Sequence, residues 1–298
     1  MRRMLTPVVA ALVLLVGCAT VHAPGTGAGA APAPSPPGVA AVPADDDLNA
    51  VLWTQRAAEH DLILEEIYRA AGEKLVAALA DPTWDALPQG ERTGSPAKLP
   101  PAVIVDVDET VLDNSPYEAQ LIRSGEEYNE FTWSQWCHKA AAQPLPGALG
   151  FARLAAAHGV TVFYVTNRTV DLVPSTIANL RKAGFPVPDD KVVLGLGTVV
   201  AGCEMIGTDK GCRRRLVARG YRVLMQFGDQ IVDFVDVPAN TLTGRGLAVA
   251  PYASWIGERW WVLPNPMYGS WEPACFNNDW RLPRAVRREE KIKALRTD

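Results

Sequence analysis

The chain has 298 residues, 48% of them hydrophobic and 21% charged, with a formal net charge of −4. This is ordinary globular composition, long enough for one large α/β domain with appendages. The acidic balance lacks the basic footprint of a nucleic-acid-binding surface, so no nucleic-acid partner is expected.

Residues 1–17 read as a secretory leader, with Arg2 and Arg3 as the positive n-region and Pro7 to Val16 as a short apolar core. Leu15-Val16-Gly17-Cys18 resembles a bacterial lipobox. Cys18 would then be the first mature residue, acylated on thiol and amine, which gives the several chains that stable membrane anchoring needs. A plain signal peptide or a spanning helix are the alternatives, although a span needs roughly 20 apolar residues. Ala19 after the cysteine points to a Gram-negative outer membrane, facing the periplasm or the exterior. Residues 18–44 are almost entirely Ala, Pro, Gly, Val and Ser, which cannot build a core and read as a tether. Residues 45–298 remain as the folded domain.

Asp45-Asp46-Asp47 offers helix-capping carboxylates, and Leu48, Val51, Leu52, Ile63, Leu64, Ile67 and Tyr68 predict one or two helices ending near Asp81. Ala102 to Val105 is an apolar run that stops abruptly at Asp106-Val107-Asp108-Glu109-Thr110, the pattern of a buried parallel strand. Val160 to Val165 and Tyr221 to Phe227 repeat it, with Trp260 to Leu263 as a further candidate. Helical spacing between them at Phe151 to His158, Ser175 to Ala183 and Arg213 to Arg219 predicts a doubly wound parallel α/β sheet. Ligands in such sheets sit at the carboxyl ends of the strands. Polar groups gather there: Asp106 and Asp108, Thr166 and Asn167, Asp229 and Asp233.

Two aspartates one residue apart at a strand exit point in different directions and can divide labour, one attacking while the other handles protons. A phosphomonoester repels a bare carboxylate, so a cation and fixed donors must offset its charge. Asp106, Asp229 and a backbone carbonyl would suit magnesium, which takes oxygen ligands and keeps several waters. Thr166 can donate to phosphate and Lys210 can supply a positive charge, with Lys191 the competing lysine. Aspartate pairs after strands also make turns and cap helices, so the pair alone leaves that reading open.

Val103 to Tyr117, reading VIVDVDETVLDNSPY, resembles the first signature of the class C acid phosphatases of the haloacid dehalogenase superfamily. Val223 to Phe234 resembles the second, with Gln230 where Asn or Thr is usual and Ile231 where Leu is usual. Phe163 to Arg168 is similar to the family's phosphate-binding threonine strand, and Leu263 to Glu272 to its C-terminal aromatic segment. The resemblance implies a doubly wound core with a smaller helical cap. It implies Asp106 as nucleophile and metal ligand, and Asp108 as general acid then base, its carbonyl also on magnesium. Thr166 and Lys210 would bind phosphate, Asp229 would ligate the metal and Asp233 would orient its waters. Trp133 and Tyr268 fall where the family sandwiches a nucleobase, which makes nucleoside monophosphates expected substrates. The expected activity is acid phosphatase and 5′-nucleotidase, removing phosphate so that the product can cross the inner membrane. Phosphotransfer to an alcohol through the same intermediate is the second enzymatic reading. A haem-binding lipoprotein without catalysis is the third.

Four further cysteines remain: Cys137, Cys203, Cys212 and Cys275. An exported compartment permits disulfides; Cys203 and Cys212 are the favoured pair, closing a loop beside Lys210, although four thiols allow three pairings and free buried thiols also fit. No His cluster suggests zinc, and His138 and His158 carry only a structural reading. Arg287-Arg288-Glu289-Glu290-Lys291 reads as a solvated helical face. Any self-association is expected to be a homodimer, the commonest soluble homo-oligomer.

Overall fold

The computed structural model describes residues 46–297. The leader, Cys18 and the tether lie outside them. Among the described residues no helix is long and apolar enough to cross a membrane.

Two helices come first, α1 (Leu48–Arg56) and α2 (Ala58–Ala80), separated at Ala57 by extended backbone. Leu64, Tyr68, Ala71, Leu75 and Ala78 recur every three or four residues and form the buried face of α2. Asp47 is the N-cap of α1 but makes no side-chain capping bond. Asp46 instead faces Arg288 at 2.9 Å, a full charge that competes well with a backbone amide.

Strand β1 (Pro101–Val105) is buried over its last four residues, as a strand covered on both faces should be. The chain then leaves the sheet for an insert made of β2 (Leu112–Asp113), α3 (Ser115–Ser124), α4 (Glu130–Lys139) and β3 (Gln143–Pro144). Pro116 occupies the first turn of α3, and Gly125 ends it at φ 72°, a left-handed conformation suited to glycine. Asn129 caps α4, its Oδ1 accepting from the Thr132 amide at 2.9 Å.

The chain returns through α5 (Ala148–Ala157), β4 (Thr161–Thr169), α6 (Val173–Ala183), β5 (Val193–Leu196) and α7 (Gly211–Ala218). After these come β6 (Arg222–Gly228), α8 (Leu242–Val249), β7 (Trp260–Val262) and α9 (Arg284–Lys293). The main sheet has the order β5-β4-β1-β6-β7 with every neighbouring pair parallel. This is the doubly wound α/β architecture the sequence predicts. Because strands leave β1 toward both edges, the crevice beyond its carboxyl end is the switch point where such sheets bind ligands.

One aromatic stack ties the layers together: Phe227 on β6 lies 5.4 Å from Tyr68 and 4.6 Å from Phe151 between ring centroids. Truncating Phe227 to alanine would cost about 3–5 kcal/mol, the usual range for a buried aromatic. Tyr68 also donates its hydroxyl to the Thr110 carbonyl at 2.6 Å, pinning the loop after β1 to α2.

The differences from the sequence reading have local causes. β4 continues past Val165 to Thr169 because, after an irregularity in register, Thr169 pairs again with Leu196 of β5. β5 is short and carries Gly195, which weakens any strand signal. The insert helices α3 and α4 mix aromatic and polar residues, and long-range contacts such as Trp136 Nε1 to Asn114 Oδ1 at 2.8 Å hold them.

Candidate active site

Asp106 directly follows β1, its backbone amide still bonded to the Phe227 carbonyl at 2.9 Å. Asp229 directly follows β6, and Asp233 ends the single 3-10 turn Ile231–Asp233 beyond it. Gly228, the last residue of β6, leaves room for Asp233: a Cβ there would meet Asp233 Oδ2 at 2.3 Å. Carboxylate oxygens of Asp106, Asp229 and Asp233 lie within 4.8 Å of one another. Lys210, immediately before α7, reaches into this group and pairs with Asp106 and, at 2.7 Å, with Asp233. Asp229 Oδ2 accepts from Asn265 at 2.8 Å and from Gln230 at 2.7 Å.

The charges in this cluster do not balance. Burial pushes the Asp106 carboxyl well above the usual carboxylate range; Lys210 opposes the shift, while Asp233, Asp229 and Asp108 add to it. Burial and then Asp233 push Asp229 up to about 7. Burial disfavours charge on Lys210, but Asp106 and Asp233 outweigh it and hold its pKa above the ordinary value. One ammonium against three carboxylates, those of Asp106 and Asp233 buried and that of Asp229 half-buried, leaves surplus negative charge, and the donors are hard oxygens. Such a group fits a hard divalent cation, whose charge would relieve the repulsion.

Asp108 stands in different surroundings. Arg168 Nε and Nη2 donate to its Oδ1 at 3.0 and 2.8 Å, Asn114 Nδ2 to the same oxygen at 2.9 Å, and Thr166 Oγ1 to Oδ2 at 3.1 Å. Arg168 is itself buried, with its guanidinium carbon 5.4 Å from the Trp133 ring centroid. Thr166, expected to face phosphate, is fully buried with its hydroxyl directed to Asp108. Its neighbours Asn167 and Arg168 line the cavity.

That cavity, about 810 Å³, contains Asp106, Asp108, Lys210, Asp229 and Asp233 in its wall together with Trp133 and Tyr268. The two aromatic residues predicted to embrace a base therefore share one chamber with the strand-end carboxylates. Trp133 packs edge-on to Tyr117 at 5.1 Å, and Tyr268 donates its hydroxyl to Glu109. Glu109 has φ 54°, a strained value for a residue with a side chain. Its carboxylate accepts the Asn114 amide at 2.6 Å, which holds the turn in place.

Lys210 rather than Lys191 reaches the carboxylates; Lys191 is exposed in the turn before β5. Cys203 and Cys212 form a disulfide that braces the start of α7, and Cys137 and Cys275 are free thiols. Arg213 and Arg214 in that helix are fully buried. Arg213 holds Asn167 Oδ1 at 2.7 Å, and Arg214 joins Glu91 and Asp236 at 2.6 and 2.7 Å. His138 and His158 are exposed and away from the cavity wall.

The sequence reading gave no role to Arg168, Asn114, Glu109 or Asn265, yet these residues fix the orientation of Asp108, Tyr268 and Asp229. All four lie inside the motif segments themselves. For Glu109 and Asn114 the signal was a charged or amide side chain within a few residues of the strand-end aspartates; Arg168 and Asn265, 60 and 36 positions from the aspartates they hold, carry no such local signal.

Comparison with known proteins gives a consistent picture. Residues 38–271 match the model of the HAD superfamily, subfamily IIIB (acid phosphatase). The structure of the class C acid phosphatase from Bacillus anthracis is 31% identical, with a TM-score of 0.73 over 85% of this chain and 97% of that one. The same protein with tungstate bound gives a TM-score of 0.72. The stem 31 kDa glycoprotein of Glycine max is 28% identical over 165 residues, 55% of this chain and 58% of the relative. Acid phosphatase 1 of Solanum lycopersicum is 27% identical over 165 residues, 55% of this chain and 57% of the relative. The match thus spans little more than half the length of these curated relatives.

Proposed function

The chain belongs to the acid phosphatases of HAD subfamily IIIB, and from that membership we propose that it is an exported, magnesium-dependent phosphomonoesterase that works through an aspartyl-phosphate on Asp106 and accepts nucleoside 5′-monophosphates. The observation that carries this reading is the meeting of Asp106, Lys210, Asp229 and Asp233 at the ends of β1 and β6, in one cavity wall with Asp108.

In the first half-reaction a carboxylate oxygen of Asp106 bonds to phosphorus as the ester P–O bond breaks. The leaving oxygen takes the bonding electrons and a proton from the Asp108 carboxyl and departs as an alcohol. In the second, water gives a proton to the Asp108 carboxylate while its oxygen bonds to phosphorus. The P–O bond to Asp106 breaks, freeing inorganic phosphate and the original carboxylate. Asp108 must start protonated and finish protonated, which suits an acidic working pH. Arg168, Asn114 and Thr166 aim its carboxyl, and Lys210 offsets charge on Asp106 and on the phosphoryl group. Magnesium, held by Asp106, Asp229 and the Asp108 carbonyl with Asp233 orienting its waters, would supply positive charge against the phosphoryl oxygens. Tungstate in the Bacillus anthracis relative is a tetrahedral oxyanion like phosphate, which supports an oxyanion site here.

A cavity of about 810 Å³ is ample for a nucleotide-sized ligand, and the faces of Trp133 and Tyr268 can stack on a base of any identity. Export and lipid anchoring through Cys18 rest on the leader and lipobox pattern. The Cys203–Cys212 disulfide supports the same reading, since such bonds persist in oxidising compartments.

The test is phosphate release from adenosine monophosphate and p-nitrophenyl phosphate at mildly acidic pH, with magnesium or with EDTA. Metal-dependent turnover of both esters supports the reading. An enzyme inert toward both, with magnesium present, would sink it.

A further inference from the structure

Four basic residues of α9, namely Arg284, Arg287, Arg288 and Lys291, line the same cavity as Asp106. Their spacing of three, four and seven places them on one helical face. The solvated face expected from the sequence is therefore a cavity wall. Arg287 is only 7% exposed, against the expectation for a surface charge.

Basic residues beside a phosphatase site suggest a second anion subsite, but the pairing argues otherwise. Arg287 is matched by Glu127 in the loop after α3, Arg288 by Asp46 at 2.9 Å and Lys291 by Glu272 at 3.0 Å. These acids come from three separate stretches of chain and fasten the helix across the chamber. Among the exposed groups of the chamber wall are two aromatic rings, Trp280, 54% exposed, and Tyr128 near Trp133. Arg287 lies 5.0 Å from the Trp280 ring centroid and fixes that indole in place. Phe276 meets Trp280 edge-on at 5.1 Å.

We infer that α9 and the turn bearing Trp280 form the outer wall of the leaving-group compartment and select for long, planar leaving groups of the nucleoside class. Trp280 adds an aromatic surface to Trp133 and Tyr268 in that chamber, and Arg287 is its positioning residue. The inference rests on the phosphatase reading above and deepens it. The wall lies beyond residue 271, where the family match ends. Short aliphatic leaving groups have no ring to stack, while a nucleoside brings an aromatic base into the chamber that Trp280 lines. One base–aromatic stack is worth about 1–3 kcal/mol, roughly a five- to 150-fold effect on binding.

The experiment compares kcat/KM for adenosine monophosphate with kcat/KM for glycerol 2-phosphate, using the full chain with magnesium, in wild type, Trp280→Ala and Arg287→Ala. The ratio should fall about tenfold in both variants, through a higher KM for the nucleotide. Circular dichroism checks the fold; should Arg287→Ala lose it, Arg287→Lys, which keeps a cation beside both the Trp280 ring and Glu127, is predicted to fold and to hold a ratio closer to wild type. A ratio unchanged in Trp280→Ala, with both substrates unaffected or both weakened alike, overturns the inference. A wild type inert toward both esters would instead refute the phosphatase reading beneath it.

Discussion

Asp106 and Asp108 leave the same strand one residue apart, yet they occupy opposite electrostatic worlds. Around Asp106 three carboxylates gather about one lysine, which pairs with Asp106 and Asp233, and burial raises the pKa values of Asp106 and Asp229. Around Asp108 the acceptor oxygens are filled by Arg168, Asn114 and Thr166. The first half is short of positive charge and complete only with a cation; the second is satisfied as it stands. Residue type therefore does not assign the roles: the neighbours brought in by β6 and β4 do.

The comparison breaks first at the nucleophile. Asp106→Asn should lower turnover of p-nitrophenyl phosphate by at least about 10³-fold, since it removes the group that forms the intermediate. Steady-state phosphate release checks this, and near-normal turnover would assign the chemistry elsewhere. Metal removal should be almost as severe for turnover and should also lower thermal stability. Binding to the folded state alone contributes about 2.7 kcal/mol at a concentration of 100 Kd. Calorimetry with magnesium against EDTA measures that shift, which Asp229→Asn should reduce.

Lys210→Met leaves the buried carboxylates of Asp106 and Asp233 without their ammonium, so it should cost about 3 kcal/mol in urea unfolding under EDTA. Magnesium should recover part of that loss. In the satisfied half the expected effects are smaller. Arg168→Lys cannot reproduce two nitrogens on one Asp108 oxygen, and kcat should fall about tenfold with little change in the metal-dependent melting shift. A large loss of that shift would show that the two halves are not separable.

The smallest effect lies in the outer chamber. Burial, then Asp47 and Glu272, push the Glu118 carboxyl up to about 7 from its ordinary value of 4.5. The folded protein thus holds that proton more tightly than the unfolded chain. Its contribution to stability is full below about pH 4.5 and is lost as pH rises through about 7. Glu118→Gln should therefore raise the melting temperature at pH 8 and leave it unchanged at pH 4.5, which a pH series of melting curves would read.

Much of the first half was legible because its residues sit at abrupt ends of apolar strands, where one dimension of sequence maps onto one end of a sheet. Asp106, Asp229 and Thr166 all carry that signature. Arg168 is 60 positions from Asp108, and nothing local distinguishes a guanidinium destined for burial from one in solvent. Arg287 is similar: its partner Glu127 is 160 positions away, so charge patterning alone assigned α9 to solvent. The insert helices escaped notice for the same reason, since their order comes from contacts such as Trp136 to Asn114.

The central claim is a covalent intermediate on Asp106, and the stereochemistry at phosphorus tests it most directly. A phosphorothioate monoester made chiral with oxygen isotopes would be hydrolysed in isotopically labelled water. Two successive in-line displacements predict overall retention of configuration. Inversion would mean that water attacks the ester in a single step, and would contradict the account.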